Sequence, residues 1–210
     1  MSAILAAEFG HLINVPLIPR HIHQVWLGSK PIPPEYERYA DGMLDKCSNG
    51  GHWNYSLWDD GRLWELGLTP EDLKYGTPAA NSNLVRLLAV FLFGGIYMDT
   101  DCEVIGDLTP LLYYNAWAAQ QADGLICNAC FGARQGNPWL LWQIMNYQEC
   151  TKDDAGCGPR TMTRAPREFL TLIDPRICYP FSWDTPEAER KASPHSLIIH
   201  HWAKSWLTPQ

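Results

Sequence analysis

The chain has 210 residues, enough to bury one hydrophobic core and few for two, so we expect a single domain over residues 1–210. Hydrophobic residues make up 46% and charged residues 19%, a balance typical of globular proteins that excludes a disordered or fibrous chain. The formal net charge of −7 and the lack of a basic cluster argue against a nucleic-acid partner.

The cysteines and the hydropathy pattern bear on the compartment. Seven cysteines at irregular spacing disfavour a secreted disulfide framework. Cys127 and Cys130 form a C-x-x-C without the two further ligands of a zinc site, so we expect them to be buried thiols. Residues 1–15 lack a basic leader, and no run of about 18 uncharged apolar residues occurs. The sequence therefore predicts a cytoplasmic protein with no transmembrane segment.

The first third of the chain reads as strand, helix and strand. A short strand whose apolar residues are Ile22, Val25, Trp26 and Leu27 ends at Gly28. Residues 35–44 carry a weak helical pattern, and residues 53–58 alternate as a second strand. This order of elements is typical of the start of an α/β domain.

A long apolar helix follows. Asn81 and Ser82 are its predicted N-cap residues, and Gly94-Gly95 ends it. The helix is apolar nearly all round, which predicts that it is buried. Asn83 and Arg86 lie three apart and share a face, and such polar groups need partners when buried.

A short strand at residues 96–98 runs into Asp99-Thr100-Asp101, and residues 104–105 are expected to continue it. Side chains alternate along an extended chain, so the two carboxylates are expected on one face, where they can share a cation. Mn²⁺ and Mg²⁺ favour carboxylate oxygens and can bind two further oxygens of a diphosphate. A D-x-D triplet more often marks a turn or a solvated edge, but ligands of α/β sheets bind beyond the carboxyl ends of strands.

The remaining elements are predicted from coarser patterns. Helices are expected at residues 111–119 and 139–150, strands at 125–131 and 197–199, and a loop at 152–163. Neither an internal repeat nor a linker divides the chain.

Three blocks of the sequence resemble one enzyme family. A-A-N-S-N-L-V-R-L-L-A-V-F-L-F-G-G-I-Y-M-D-T-D, at residues 79–101, is similar to the signature of the glycosyltransferases with a DXD sugar-binding motif. This family 32 type includes yeast-type mannosyltransferases and α-1,4-galactosyltransferases, and clostridial glucosylating toxins have a similar block. The opening I-P-R-H-I-H-Q-V-W-L-G and the closing H-H-W-A-K-S-W also match, so the resemblance spans residues 18–206. It implies an α/β fold of the GT-A type, one domain with a central mixed sheet and a Rossmann-like nucleotide-binding half.

The resemblance implies a metal-dependent, retaining glycosyltransferase. The donor would be a nucleotide-diphosphate sugar, with a UDP-sugar favoured and GDP-mannose as the alternative, and the acceptor a hydroxyl of a glycan, lipid or protein. The implied cofactor is Mn²⁺, or else Mg²⁺. A non-catalytic sugar- or nucleotide-binding module is a second reading, although it would not need Asp99, Asp101 and Arg86 together. A metal-dependent phosphohydrolase is a third, although such sites generally use more His and Asp ligands.

The resemblance also implies roles at the donor site. Asp101 would ligate the metal directly, and Asp99 would contact the donor as well as the metal, mostly through water. Arg86 would reach the donor sugar or its diphosphate, since a guanidinium fork suits that task. Trp26 would stack on the nucleotide base. A core position is an equally good interpretation of Trp26, and a salt bridge to either aspartate is the alternative for Arg86.

Three further roles come from the helix and the end of the chain. The family usually has Asp where this chain has Asn83, whose amide can bind a donor-sugar hydroxyl but carries no charge. His200 matches the terminal-block histidine and is implied as a third metal ligand, with His201 as the alternative. Ser205 and Trp206 occupy the place of a donor-binding tail that closes over the diphosphate.

Overall fold

A computed structural model describes residues 15–47, 51–73, 77–147 and 157–203 of the chain. Its strands are β1 (His21–Val25), β2 (Asn54–Trp58), β3 (Gly95–Met98), β4 (Cys102–Val104), β5 (Ala116–Gln120), β6 (Ile126–Ala133), β7 (Thr171–Leu172) and β8 (Ile198–His200). Its α-helices are α1 (Pro34–Asp41), α2 (Met43–Lys46), α3 (Pro78–Phe93), α4 (Pro138–Met145) and α5 (Cys157–Arg164).

A mixed six-stranded sheet forms the centre of the molecule. Its order is β2-β1-β3-β6-β5-β7, with β1 parallel to both β2 and β3, and β6 antiparallel to both β3 and β5. The sheet separates two clusters of buried side chains: Ile96 and Met98 of β3 face one cluster, and Tyr97 faces the other. The predicted α/β class with a central mixed sheet is confirmed, while the domain boundary at 1–210 stays a prediction.

Helix α3 begins earlier than the sequence analysis predicted. The side chain of Thr77 accepts a hydrogen bond of 3.2 Å from the N–H of Ala80, and Pro78 occupies the first turn. Thr followed by Pro is a strong helix start, because the hydroxyl caps a free N–H and proline lacks one. The predicted caps Asn81 and Ser82 therefore lie inside the helix, and that prediction was wrong.

The Gly94-Gly95 pair ends α3 as expected and turns the chain directly into β3. Both residues have positive φ, 65° and 119°, a region that disfavours side chains. A Cβ on Gly95 would clash with the carbonyl oxygen of His21 in β1. The close approach of these backbones places the start of β3 beside the start of β1, and the two parallel strands then run side by side.

Two predicted elements have the wrong type. Residues 111–119 are not a helix, since a 3₁₀ turn at Thr109–Tyr113 is followed by strand β5. Four of the five β5 residues are buried, and a continuous apolar run does not distinguish a buried strand from a helix. The expected loop at residues 152–163 is helix α5 from Cys157 onward, with Pro159 tolerated in its first turn.

Two further predictions need smaller corrections. The expected helix at residues 139–150 begins at Pro138 and ends at Met145, and residues 148–150 lie outside the described part. Residues 104–105 do not continue β3, because the chain turns at residues 99–101 and β4 pairs with β8 in a separate sheet.

Candidate active site

The candidate site lies where β1 and β3 end side by side. Asp99 follows β3, and its backbone is fixed from both sides: its N–H donates to the carbonyl of Ala129 at 2.8 Å, and the amide of Gln24 donates to its carbonyl at 3.2 Å. Asp99-Thr100-Asp101 is a turn, so the expected extended arrangement of the two acids was wrong. The turn still keeps them close, since Asp101 is near enough to raise the pKa of Asp99.

Arg86 of α3 forms an ion pair with Asp99 at 3.0 Å between Nη1 and Oδ1. The same guanidinium donates to the carbonyl of Asn128 at 2.8 Å and to the hydroxyl of Ser82 at 2.9 Å, and it lies over the ring of Tyr97. The hydroxyl of Tyr97 donates to Oδ1 of Asp99 at 2.6 Å. The salt bridge offered as the alternative for Arg86 is therefore present.

Burial dominates the electrostatics of Asp99. Its side chain is 29% exposed and that of Arg86 only 7%. Burial raises the pKa of Asp99 above its usual value, while the charge of Arg86 lowers it and the charge of Asp101 raises it. A guanidinium held by several acceptors fixes the direction of the carboxylate it pairs with.

His200 reaches Asp101 through the small sheet. Strand β8 runs antiparallel to β4 with Cys102 opposite His200, and this register brings His200 Nε2 to 3.2 Å from Asp101 Oδ1. Burial lowers the pKa of His200, but the nearby carboxylate of Asp101 outweighs it, so the pKa is raised overall. The Nδ1 atom of His200 is buried and has no hydrogen-bond partner among the described residues.

Residues 201–203 continue from β8 across Asp101. The N–H of His201 donates to the Asp101 carbonyl at 3.1 Å, and the N–H of Ala203 donates to Asp101 Oδ2 at 2.8 Å. The His201 ring points elsewhere, stacking on Tyr39 with ring centroids 4.7 Å apart and lying 3.2 Å from Glu103 Oε2. The structure thus brings His200, not His201, to Asp101. Ser205 and Trp206, the predicted tail residues, lie outside the described residues.

Trp26 follows β1, at the same edge of the sheet as Asp99. Its indole N–H donates to the carbonyl of Lys30 at 2.7 Å, and its ring meets Tyr36 edge-on with centroids 6.1 Å apart. It is half-buried and belongs to neither buried cluster, so the core interpretation of Trp26 does not describe this position. Its role as a stacking platform stays a prediction.

Asn83 lies next to Arg86 on α3, and its Oδ1 accepts a hydrogen bond of 2.7 Å from Nδ2 of Asn128. Asn128 was missed in the sequence analysis, although an amide within the apolar strand I-C-N-A-C-F is a signal that could have found it. These amides line a cavity of about 10 Å³, roughly the space of one water. Gln143 also lines it, and its Oε1 has no hydrogen-bond partner within the part of the chain that the structure describes.

The donor atoms at Asp101 fit a divalent ion. Asp101, Cys102 and His200 each offer a ligand atom within 4.8 Å of the others, and all three are buried. Burial raises the pKa of the Cys102 thiol well above its usual value, so it keeps its proton and is a poor ligand for a hard cation. The 3.2 Å between Oδ1 and Nε2 is close to the roughly 3 Å that separates neighbouring ligands of an octahedral ion with bonds of about 2.1 Å.

The family description "Glycosyltransferase sugar-binding region containing DXD motif" matches residues 50–122, which include both aspartates. The match covers 73 of the 210 residues, and the resemblance of the chain to the DXD glycosyltransferases is confirmed. The chain is 30% identical over 136 residues to inositol phosphoceramide mannosyltransferase 3 of Schizosaccharomyces pombe, covering 61% of this chain and 37% of the relative. It is 27% identical over 167 residues to the uncharacterized glycosyltransferase L373 of Acanthamoeba polyphaga mimivirus, and the match covers 74% of this chain and 65% of the relative. The chain therefore spans between about a third and two thirds of the length of these relatives.

Solved structures share the fold. The PaToxG glycosyltransferase superposes with a TM-score of 0.54 at 19% identity, and the match covers 79% of this chain and 74% of the PaToxG chain. The GlyE glycosyltransferase of Streptococcus pneumoniae superposes with a TM-score of 0.53 at 14% identity, and the match covers 92% of this chain and 57% of the GlyE chain. The expected GT-A fold is confirmed. In the described parts of the chain, none of the helices combines the length and hydrophobicity that a bilayer span needs.

Proposed function

We propose that this chain transfers a hexose from a nucleotide-diphosphate sugar to an acceptor hydroxyl, with retention at the anomeric carbon. The observation that carries the proposal is the joint placement of Asp99, fixed by Arg86, and Asp101, paired with His200, beyond the carboxyl end of β3. Ligands of open α/β sheets bind at such an edge. Both acids also lie in the matched sugar-binding region.

Asp101 and His200 would hold a divalent cation, with Mn²⁺ as the proposed ion and Mg²⁺ as the alternative. A carboxylate oxygen and an imidazole nitrogen are ligands that Mn²⁺ accepts. When bound, such an ion offsets negative charge that develops on a departing diphosphate. Asp99 lies outside the group of closely spaced ligand atoms around Asp101, in keeping with a contact to the ion through water.

The remaining residues would bind and orient the donor. Arg86 keeps Asp99 in one direction, so that its second oxygen can accept a hydrogen bond from the donor. Asn83 donates through its amide, because its Oδ1 already accepts from Asn128. Trp26 is half-buried at the neighbouring strand end, a position suited to stacking on the base. Ser205 and Trp206 would close the site against water, and that role remains a proposal from the sequence.

The relatives bear on the substrates. The fission yeast relative is named an inositol phosphoceramide mannosyltransferase, which supports mannose as the transferred hexose and a lipid among the possible acceptors. GDP-mannose is therefore tested beside the UDP-sugars that the sequence favoured. For the compartment, we propose a reducing cytoplasm, supported by the five buried free thiols among the described residues.

A panel of nucleotide sugars with and without Mn²⁺, scored by thermal shift and by product analysis, tests the proposal. We expect a Mn²⁺-dependent shift with one donor and the release of nucleoside diphosphate together with free or transferred sugar. Free phosphate as the product would instead indicate a phosphohydrolase. Binding without turnover would indicate a sugar- or nucleotide-binding module.

Asp101→Asn is expected to abolish the Mn²⁺ requirement and turnover, because an amide oxygen is a much weaker ligand than a carboxylate. Asp45→Asn is the matched control, since Asp45 is an exposed acid of α2. Circular dichroism should show both variants folded. Activity like that of the wild type in Asp101→Asn would contradict the proposed metal site.

A further inference from the structure

A cleft of about 500 Å³ lies at the opposite end of β1 from the candidate active site. Its wall includes Arg20 and His21 at the start of the strand, and His52 and Asn54 at the start of β2. The five residues of β1 separate this cleft from the Asp99 edge by about 16 Å at roughly 3.3 Å per residue. The cleft is therefore distinct from the proposed donor site.

The polar lining of the cleft is basic or neutral. Arg20, His21, His52 and Asn54 are its polar members, and none of the described lining residues is an aspartate or glutamate. This composition is unusual for a chain with a net charge of −7, in which acids outnumber Lys and Arg by 23 to 16. A concave surface with a guanidinium, imidazole donors and no carboxylate attracts anions.

Arg20 is the least satisfied of these groups. Its backbone is fixed, since its carbonyl accepts from the N–H of Asn54 at 2.9 Å. Its Nε atom is buried and has no hydrogen-bond partner in the described structure. Leaving a buried donor of a charged group unpaired costs free energy, which an oxyanion that accepts from the guanidinium would recover.

The backbone leaves room for this guanidinium at Gly51. A Cβ at Gly51 would lie 2.8 Å from Nε and 3.2 Å from Cζ of Arg20, closer than real side chains pack. The remaining wall of the cleft is apolar, formed by Pro16, Leu17, Ile18, Pro19 and Phe93. The cleft thus offers a cation and imidazoles for a compact anionic head and an apolar wall for an attached body.

We infer that this cleft is a binding site for a phosphate monoester whose organic group packs against Phe93. A phosphate head can accept hydrogen bonds from a guanidinium and from imidazole N–H groups at the same time. A volume of about 500 Å³ exceeds that of phosphate alone and is within the range of small-molecule pockets. The site is independent of the proposed transferase activity.

Titration with phenyl phosphate tests the inference. Amide chemical shifts of the ¹⁵N-labelled, metal-free protein would be followed in EDTA, with inorganic phosphate and phenol as reference probes. We expect saturable shifts at His21, Asn54 and Phe93 with phenyl phosphate, weaker ones with inorganic phosphate, and none with phenol. Shifts confined to residues 99–101, or none that saturate, would overturn the inference.

Substitutions in the cleft test which side chains bind phenyl phosphate. Arg20→Gln should weaken binding of phenyl phosphate by about tenfold or more, the loss expected when a charge-assisted hydrogen bond is removed. Arg167→Gln carries the same charge change at an exposed position outside the cleft and should leave the affinity unchanged. If Arg20→Gln does not fold, His52→Gln replaces it, because His52 is exposed, and it should weaken binding by a smaller factor. Equal affinity in wild type and in the folded cleft variant would overturn the site.

A soluble ester and a lipid headgroup can both present the phosphate, and sedimentation separates these two sources. Vesicles of phosphatidylcholine with phosphatidic acid would be compared with pure phosphatidylcholine vesicles. Co-sedimentation that phenyl phosphate displaces would assign the lipid source, whereas phenyl phosphate binding without co-sedimentation would assign the soluble ester. Either assignment also requires saturable chemical-shift changes at the cleft. If the protein binds neither phenyl phosphate nor the phosphatidic acid vesicles, the inference is overturned.

Discussion

Arg86 and Asp99 show how a single pair of residues can matter more for holding a site than for touching a substrate. The guanidinium is buried and has an ion pair, two carbonyl acceptors, a hydroxyl acceptor and an aromatic face around it. Such a group cannot turn toward a ligand without breaking those contacts. We therefore interpret Arg86 as the residue that positions Asp99.

Arg86→Leu should reduce the free energy of unfolding by about 3 kcal/mol, the lower end of the range for breaking a buried pair, because Asp99 is 29% exposed and water screens it in part. Urea unfolding at pH 7 measures the change. The double variant Arg86→Leu/Asp99→Asn should be more stable than Arg86→Leu alone, since it removes the uncompensated carboxylate. If the second substitution destabilises Arg86→Leu further, the pair does not carry the energy assigned to it.

The sequence predicts the residues of the candidate site whose side chains are charged or can bind a metal, and it does not predict those that act through the backbone. Asp99, Asp101, Arg86 and His200 stand out because charged or metal-binding groups lie within apolar segments. The hydrogen bond from the Ala203 N–H to Asp101 leaves no such mark, because every residue type except proline has that donor. Backbone contacts of this kind emerge only from the fold.

At the scale of elements, the unit of α3, the glycine pair and β3 positions the site. Helix α3 supplies Arg86 and Asn83, and the glycines bring its end against β1 so that β3 can run between β1 and β6. The unit was predictable because the buried helix, the glycine pair and the two acids follow one another within 24 residues, from Pro78 to Asp101. Strand β5 was not predictable from the sequence, because burial on both faces removes the alternation of apolar and polar residues that indicates a strand.

The start of α3 is a local prediction at this scale. Thr77→Ala should reduce the free energy of unfolding by about 1 kcal/mol, because the first turn loses the cap that its hydroxyl provides. Asn81→Ala is the comparison, since Asn81 lies inside the helix and its buried Oδ1 accepts no hydrogen bond from any described residue. We expect Asn81→Ala to be neutral or stabilising, because alanine has the higher helix propensity. Thermal unfolding of the two variants decides the order, and the opposite ranking would restore Asn81 as the cap.

At the scale of the whole molecule, distant parts of the chain complete the site. Asp101 and His200 meet because β8 returns to pair with β4, a contact across 99 positions of the sequence. The order of the blocks along the chain was visible in the sequence, but the pairing of β4 with β8 in a separate small sheet was not, since three-residue strands carry little periodicity.

His23 of β1 connects several elements of the six-stranded sheet. The indole N–H of Trp58 in β2 can only donate, so Nδ1 of His23 accepts it at 3.2 Å, and Nε2 donates to the Gly94 carbonyl at 2.8 Å. One neutral tautomer satisfies both contacts. Burial, together with the smaller effect of the neighbouring His21, lowers the pKa of His23 to about 3.

This pKa makes the stability of the whole chain depend on pH. Between pH 6.5 and 3 the unfolded chain binds a proton at His23 and the folded chain does not, so stability is complete above pH 6.5 and falls as the pH decreases. The free energy of unfolding should lose about 2 kcal/mol through His23 between pH 7 and pH 5, at about 1.4 kcal/mol for each pH unit below 6.5.

Urea unfolding at pH 7 and at pH 5 tests this contribution. The His23→Gln variant, whose amide can replace both hydrogen bonds, should lose the part of the pH dependence that comes from His23. The control variant His195→Gln, at an exposed position, should keep the pH dependence of the wild type. Equal pH dependence in wild type and His23→Gln would mean that His23 does not stay neutral in the folded chain.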